Sequence, residues 1–583
     1  MEKTNVFDYI IMESTNYRSN RVPVTDSKDW NMSEHIERCT NVSNGWYHQG
    51  KNDGMRPYRD IVTPIINVAR RSEGFDVKNI VPFVNRVDVA YKSFLVKRYH
   101  PKWARKNELD TFIDELVESS IIYDLALVKR IPGVRPEVVP LQKIAFCDQT
   151  DIMSGPICLR HQYTPAQLTE FKGKWIDEKI DEAITMALAE RTSPTANGKK
   201  ASTPGKYIEV FELRGNLPEH WLDEGGDPFT YTPQMHIVCY YTNSEGNKNG
   251  ITLYKGKDKK LSDNFKSLVL MPVFGRACGK SIVETLFEPQ VWTNYSEIKI
   301  KQLLDSAITL FQTDSEEIAG QKLTDLPTNT ILKHEQGKPL SKVDGTLQNL
   351  PSFTNHQIGL ENNARILGSA SDAQLGTNPT AGTPFALQSL VVQQGQGIHE
   401  WRQGKIATFM ADVLYRDWIL AMLVQDMNRG VTFSDELSLD EMQEVSKAVI
   451  TNYVDQTIIE KAIQTGKAPR VEDREMLIKL ETENFMKAGQ RQFFEILKDE
   501  LDDVPMDVMV NIVGKQRAMA ENADKLTNIF RAVTTNPQIF QQIPGIGKLY
   551  NEILEESGFS AIDFSQITTF EPTQQLPELA PVQ

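Results

Sequence analysis

SLVLMPVFGRACGKSIVETLFEPQVWTNYSEIKIKQLLDSAITLF, residues 267–311, decides the fold because its hydrophobic period changes part-way along. Residues 267–274 form a continuous apolar run that reads as a buried strand, and FGRACGKS at 274–281 is a glycine turn. From 281 to 311 apolar residues recur at helical spacing through Val291, Tyr295, Ile298, Leu304, Ile308 and Phe311. A helix of about 30 residues spans roughly 45 Å. The helical period then stops. Pro327, Gly337, Gly345 and Pro351 punctuate 312–352, where NTILKH and PLSKVD read as short strands, so a small β-module separates two helices. Helical pattern returns within 353–370 and stops at the polar loop SDAQLGTNPTAGT, 371–383. It runs again over 384–430, where Ile406, Phe409, Met410, Val413 and Leu414 follow i, i+3, i+4, i+7, i+8. Gly395, Gly397 and Gly404 are expected to kink this last helix.

Upstream, 57–73 and 79–100 read as helices with Pro57 and Pro82 near their first turns, while the first fifty residues carry little pattern. Between 121 and 150, β-branched segments broken by Pro132-Gly133 read as a hairpin. Thr164, Pro165 and Gln167 form an N-cap, N1 and N3 set opening a polar helix toward 191. A Ser, Pro, Gly and Lys linker at 193–205 leads to three expected strands, KYIEVFELRG, MHIVCYYTN and GITLYKG. Beyond 430 the pattern is almost all helical, opened by a capping box at Ser438 and Glu441 and closed near Gly466; the tail 571–583 reads as disordered.

A chain of 583 residues exceeds one compact core, so several modules are expected, and the alternation of helical and strand patterns makes the class α+β. Its longest apolar runs fall short of the roughly 20 residues that cross a bilayer, and the first residues show no secretion signal, so neither membrane nor export is expected. Cys39, Cys147, Cys158, Cys239 and Cys278 are scattered without a CxxC pair and read as reduced, structural thiols. A net charge of −14 disfavours tight wrapping of nucleic acid, which depends on Lys and Arg.

No motif carries chemistry convincingly. FGRACGKS follows a strand and opens a helix as a phosphate loop does, but Gly275 and Gly279 enclose three residues where a Walker A loop needs four. IPGIGK at 543–548 resembles a phosphate-gripping hairpin, yet Glu552, Glu555 and Glu556 surround it with negative charge. The histidines lack ligand spacing, with His399 and Glu400 adjacent and on different helix faces. Asp499, Glu500, Asp502 and Asp503 lack the glycine and alternating ligands of a calcium loop. The expectation is a chain with no catalytic residues, no metal and no cofactor.

The order of elements, together with GRACGKSIVETLFEPQVWTNYSEIKIKQLLDSA, where Gly279, Glu284 and Asn294 occupy characteristic places, resembles the portal proteins of tailed bacteriophages. The resemblance is clearest over 206–430. It implies an α/β wing at 51–280, a first stem helix at 281–311, a β-rich clip at 312–352 and a second stem helix at 353–370. A channel loop at 371–383, a long wing helix at 384–430 and a helical wing and crown at 431–570 complete the layout. It further implies a homo-oligomeric ring, usually a dodecamer, at one capsid vertex of the virion, assembled in the host cytoplasm. The implied partners are the major capsid protein, the terminase large subunit during genome packaging, the head-tail adaptor and tail proteins afterwards, and the double-stranded DNA passing through.

On that layout Ser371, Asp372, Gln374, Thr377, Asn378 and Thr380 would face the DNA channel. The loop has no Lys or Arg, so it offers neutral hydrogen bonds and no electrostatic trap. Lys299, Lys301, Lys333, Lys338 and Lys342 are candidates for weak DNA contacts, with solvated helix and hairpin faces as the alternative. Two rival readings stand beside the portal: a P-loop-like NTPase of the packaging machinery, and a virion structural or scaffold protein without a channel.

Overall fold

The computed structural model describes residues 5–25, 28–45, 58–84, 90–190, 192–194, 200–202, 207–223, 225–242, 248–306, 309–312, 341–344, 350–370, 375, 385–429, 439–465, 471–488 and 506–510. In chain order the helices are α1 (Val6–Ser19), α2 (Met32–Ser43), α3 (Val62–Glu73), α4 (Ala90–Lys106), α5 (Leu109–Tyr123), α6 (Pro165–Thr169) and α7 (Asp177–Glu190). They continue with α8 (Ile282–Ser306), α9 (Leu350–Leu367), α10 (Phe385–Thr408), α11 (Leu420–Arg429), α12 (Leu439–Thr465) and α13 (Val471–Ala488). The strands used below are β1 (Ile80–Val84), β2 (Ala126–Lys129), β3 (Ile144–Phe146), β4 (Ile157–Tyr163), β5 (Ile208–Pro218), β6 (Tyr231–Thr242), β7 (Lys248–Lys257), β8 (Phe265–Leu268), β9 (Thr309–Gln312), β10 (Ser341–Asp344) and β11 (Met506–Val510). The class is α+β.

Two compact units divide the chain: Met1–Gly74, Asp114–Lys129 and Val138–Arg402 in the first, and Phe75–Ile113, Arg130–Glu137 and Gln403–Gln583 in the second. The first is built round a five-stranded antiparallel meander in which β3 to β7 lie side by side in chain order. Alternation sets its two faces. Ile208 and Val210 of β5 meet Leu168, Ile180 and Ala183 of α6 and α7, while Leu213 and Leu217 meet Ile10 of α1. Thr164 opens α6 with a complete capping box, its side chain accepting from Gln167 N while Gln167 reaches back. The polar helix expected to run from there to 191 is interrupted, because Gly173 at φ +83° turns the chain before α7 restarts at Asp177. A two-stranded ladder, Thr192–Pro194 with Lys200–Ser202, lies in the stretch expected to be a plain linker.

Further along the same face of β5, Glu212 lies among cations. Lys129 Nζ of β2 is 2.6 Å from its Oε2, His161 Nε2 2.8 Å from the same oxygen, and Arg214 Nε 2.5 Å from Oε1. Arg214 Nη1 also reaches Asp258 at 3.0 Å. Burial pushes the Glu212 carboxyl up, but the His161 hydrogen bond and the Lys129 and Arg214 charges outweigh it and hold the group well below the usual carboxylate range.

In the second unit, Trp103 of α4 is fully buried and donates its indole N–H to Asp426 Oδ2 of α11 at 3.0 Å. His100 meets Tyr415 OH at 2.8 Å, and burial lowers its pKa to about 4. The run from 79, expected to start a helix, instead forms β1 over Ile80–Val84, which pairs with β11 so that Pro82 faces Val508. A two-stranded ladder tolerates proline because an edge strand can spare a donor. The same pairing places a strand in the C-terminal region expected to be helical. Between α10 and α11 the helix continues, but residues Phe409–Ile419 widen to a π-helix, with Leu420 N donating to Tyr415 O. The irregularity falls beyond Gly395, Gly397 and Gly404, the expected kink sites. Phe409, Met410, Leu414, Tyr415 and Trp418 are buried along this stretch. In the C-terminal helices Ile450, Val454 and Ile458 pack on Leu477 and Ile478.

Candidate functional site

The turn at 271–281 is held from all sides by its own backbone. Lys280 N donates to Met271 O at 2.9 Å, Ala277 N to Gln149 O at 2.9 Å, and Gly279 N to Asp124 O at 3.3 Å. Gly275 takes φ +80°, a conformation glycine adopts without steric cost. Arg276 grips Glu284 with two nitrogens, at 2.9 and 2.7 Å, and donates to Gly279 O at 3.1 Å. Ser281 then caps α8, its hydroxyl accepting from Glu284 N at 2.9 Å. In a phosphate loop these amides would point free into the concavity. Here three are spent, and a Cβ on Gly279 would lie 1.8 Å from Asp124 Oδ2, so a carboxyl group occupies the place beside the glycine. The amides of the turn are spent on Met271, Gln149 and Asp124. The expected apolar strand also ends early: β8 stops at Leu268, and Phe274 stands 99% exposed at the tip of the turn.

Asp124 belongs to a buried ionic cluster. Its Oδ2 accepts from Met271 N at 2.7 Å, and its Oδ1 is 3.8 Å from Arg402 Nη2. Arg402 Nε lies 2.9 Å from Glu73 Oε1 without aiming its N–H along the contact, and His399 Nδ1 meets that same oxygen at 2.9 Å. Arg402 Nη2 further donates to Ser120 O at 3.2 Å. Burial, against the Met271 amide and the Arg402 charge and with Glu73 adding to it, raises the Asp124 pKa to about 7.

Helix α8 buries Val283 and Leu286 in its first turns, but from residue 290 onward its burial is inverted. Its buried residues include Gln290, Thr293, Asn294 and Ser296, whereas Trp292, Tyr295 and Leu304 are half-exposed. The buried amides have a clear task. Gln290 accepts from Ile61 N at 3.0 Å and donates to Arg59 O at 2.7 Å, and Asn294 accepts from Arg59 N at 3.2 Å, so together they satisfy an irregular stretch of backbone. Outside, Glu288, Trp292, Tyr295, Lys299 and Gln302 are spaced 4, 3, 4 and 3, a seam of period 3.5. Trp292 and Tyr295 meet edge to face at 6.0 Å, and Lys299 Nζ lies 5.6 Å over the Tyr295 ring. Helix α9 lies alongside, with Arg59 joining Glu297 at 3.2 Å and Glu361 at 2.6 Å. Beyond the far end of α8, β9 pairs with β10 in antiparallel register, Phe311 opposite Lys342. Residues 309–311, expected to finish the helix, belong instead to β9; α8 ends at Ser306, and its 25 residues span about 37 Å.

The sequence-derived candidates therefore separate. Lys299 sits on the outer seam, Lys301 is half-buried, and Lys342 lies in β10. Lys333, Lys338, the loop residues Ser371, Asp372, Gln374, Thr377, Asn378 and Thr380, the segment IPGIGK and the tail 571–583 lie outside the described residues. Among the described residues no group of three His, Cys, Asp or Glu is arranged to hold a metal, and no helix is long and apolar enough to cross a membrane. All five cysteines are free thiols. Sequence reasoning missed the Glu73, Asp124, His399 and Arg402 cluster, whose members come from distant segments with no common motif. A charged pair inside a helical run, His399 and Arg402 on one face, was the available signal.

No family model matches the chain, and no curated protein does. Among solved structures it is similar to a chain of the virion of a native gene transfer agent particle, with a TM-score of 0.32 and 11% identity over 80% of this chain and 98% of that one. It is also similar to a chain of the neck of an empty gene transfer agent particle, with a TM-score of 0.32 and 9% identity over 79% of this chain and 99% of that one. Scores at this level carry no argument about function.

Proposed function

We propose that the chain is the portal subunit of a tailed-phage-like particle, a non-catalytic ring component through which the genome is packaged and ejected. The observation that supports this best is the excursion from 282 to 367: α8 leads out, β9 and β10 pair beyond it, and α9 returns beside it. In the portal layout these are stem, clip and stem, α10 with its continuation is the wing helix, and residues 371–383 are the channel loop. The inverted burial of α8 supports assembly, because Trp292 and Tyr295 at period 3.5 suit a helix of a neighbouring copy. The net charge of −14 repeats with every copy, so the ring as a whole repels a polyanion and lets it slide.

Particle imaging and native mass of the purified full chain test the reading. A closed ring with a hole wide enough for a duplex supports it; a stable monomer or an assembly without a hole refutes it. The rival NTPase reading is tested by calorimetry with ATP, where micromolar binding lost in Lys280→Ala would replace the portal.

A further inference from the structure

The ionic cluster beneath the 271–281 turn holds more negative charge than its one guanidinium neutralises. Glu73, Asp124, His399 and Arg402 are each at most 2% exposed. Four of their polar atoms, Glu73 Oε2, Asp124 Oδ1, His399 Nε2 and Arg402 Nε, have no hydrogen-bond partner among the described residues. Glu73 Oε1 is 2.9 Å from Arg402 Nε and also meets His399 Nδ1 at 2.9 Å, whereas Asp124 Oδ1 is 3.8 Å from Arg402 Nη2. Asp124 is therefore the carboxyl that the guanidinium compensates less, and the one where a proton balances the cluster.

We propose that this cluster is a proton-operated latch: a proton on Asp124 fastens the 271–281 turn to the His399–Arg402 turn of α10, and its loss loosens them. The parts are in contact. Asp124 holds Met271 N through Oδ2 and Gly279 N through its backbone carbonyl, while Arg402 spans Glu73, Ser120 O and Met271 Sδ, the last at 3.8 Å. The groups facing Asp124 are Arg402, Glu73 behind it, the Cys278 thiol and the amides of Leu270 and Met271. When the latch opens, Asp124 returns to an ordinary carboxylate of 3.8 from its buried value of about 7, so opening releases a proton. Rising pH therefore favours opening up to neutrality and has no further effect above it. His35, whose pKa burial lowers to about 4, lies close to Arg276 and Glu284 and acts in the opposite sense, since exposing it takes up a proton.

Hydrogen exchange of the full chain, followed by mass spectrometry over peptides covering 118–126 and 268–281, tests the latch whether or not rings form. Asp124→Asn mimics the protonated carboxyl and serves as the reference, which cancels the His35 contribution. The wild-type opening constant divided by that of the variant should rise about tenfold per pH unit from about pH 5 to neutrality and then level off. His399→Gln should retain the rise. A ratio independent of pH, or a rise that disappears in His399→Gln, overturns the proposal. Should Asp124→Asn fail to fold, Glu73→Gln replaces it. Removing that negative charge lets Asp124 ionise earlier, so the wild-type to Glu73→Gln ratio must still vary below neutrality, and a constant ratio refutes the latch.

Discussion

Gly279→Ala puts a methyl group where the structure has no room for one. The added carbon would lie 1.8 Å from Asp124 Oδ2, 2.8 Å from its Cγ and 2.5 Å from Met271 O. None of these is the free end of a flexible chain: Met271 O is backbone, and Asp124 is fully buried and held by Met271 N. Overpacking of this kind costs about 1–3 kcal/mol, and displacing Asp124 strands a buried amide at about another 1–3 kcal/mol. The expected total is about 2–6 kcal/mol, a large share of the 5–15 kcal/mol that holds a typical domain. Urea unfolding followed by tryptophan fluorescence measures it. Two glycine controls separate crowding from backbone strain. Gly225→Ala, with open space and ordinary φ, should change stability by less than about 0.5 kcal/mol. Gly275→Ala, with open space but φ +80°, should cost about 1–2 kcal/mol from conformation alone. If the clash with Asp124 is the cause, Asp124→Ala and Gly279→Ala together must cost clearly less than their sum. A Gly279→Ala chain as stable as the wild type, or strict additivity with Asp124→Ala, would refute the reasoning.

Glu212→Gln leaves Lys129 buried without its anion and Arg214 with Asp258 alone, and should cost about 3–5 kcal/mol near neutral pH, measured by the same unfolding assay. Thr164→Ala removes the capping box of α6 and should cost about 1 kcal/mol, with Thr164→Ser restoring most of it. Trp292→Ser with Tyr295→Ser removes two exposed rings, so subunit stability should change by less than about 0.5 kcal/mol each while sedimentation shows assembly abolished; intact rings would remove α8 from the interface.

What the sequence made legible were features whose cause is local. The helical run read between Ser438 and Gly466 is α12, Leu439–Thr465, because helical periodicity is carried by residues three and four apart. Thr164 and Gln167 likewise mark the start of α6, but Gly173 shows how one left-handed residue ends what a polar pattern continues. The strand Ile80–Val84 was hidden because its partner, Met506–Val510, lies at the other end of the chain, and a proline in an apolar run suggests a helix start until that partner is known. On α8 the apolar period identified the helix but not which of its faces is buried. The residues that decide the orientation are Gln290 and Asn294, whose amides complete the backbone at Arg59 and Ile61, and hydrophobic spacing does not register that demand. For the same reason the buried cluster was invisible: Glu73, Asp124, His399 and Arg402 become neighbours only after three separate segments have packed.

The buried ionisable groups of the first unit also fix how its stability changes with pH, and they pull in opposite directions. Glu212 is held below its ordinary value of 4.5, so its contribution is complete above that pH and is lost as acid protonates it. His35 and His236 are lowered from 6.5 to about 4 by burial, so each favours folding increasingly as pH rises between those values. Asp124 opposes them. Its folded value of about 7 lies above the ordinary 3.8, so its contribution is full below 3.8 and fades as pH climbs to neutrality. Between about pH 4 and 6.5 the two histidines therefore strengthen the fold, while Asp124, and Glu13 whose carboxyl burial raises from 4.5, weaken it. Replacing Asp124 by Asn removes one opposing proton and should make the profile steeper by about 1.4 kcal/mol per pH unit. Unfolding free energies of both chains at several pH values across this window decide the point. Parallel profiles would show that Asp124 carries no proton in the folded unit, and would leave Arg402 to be balanced by Glu73 and an ionised Asp124 together.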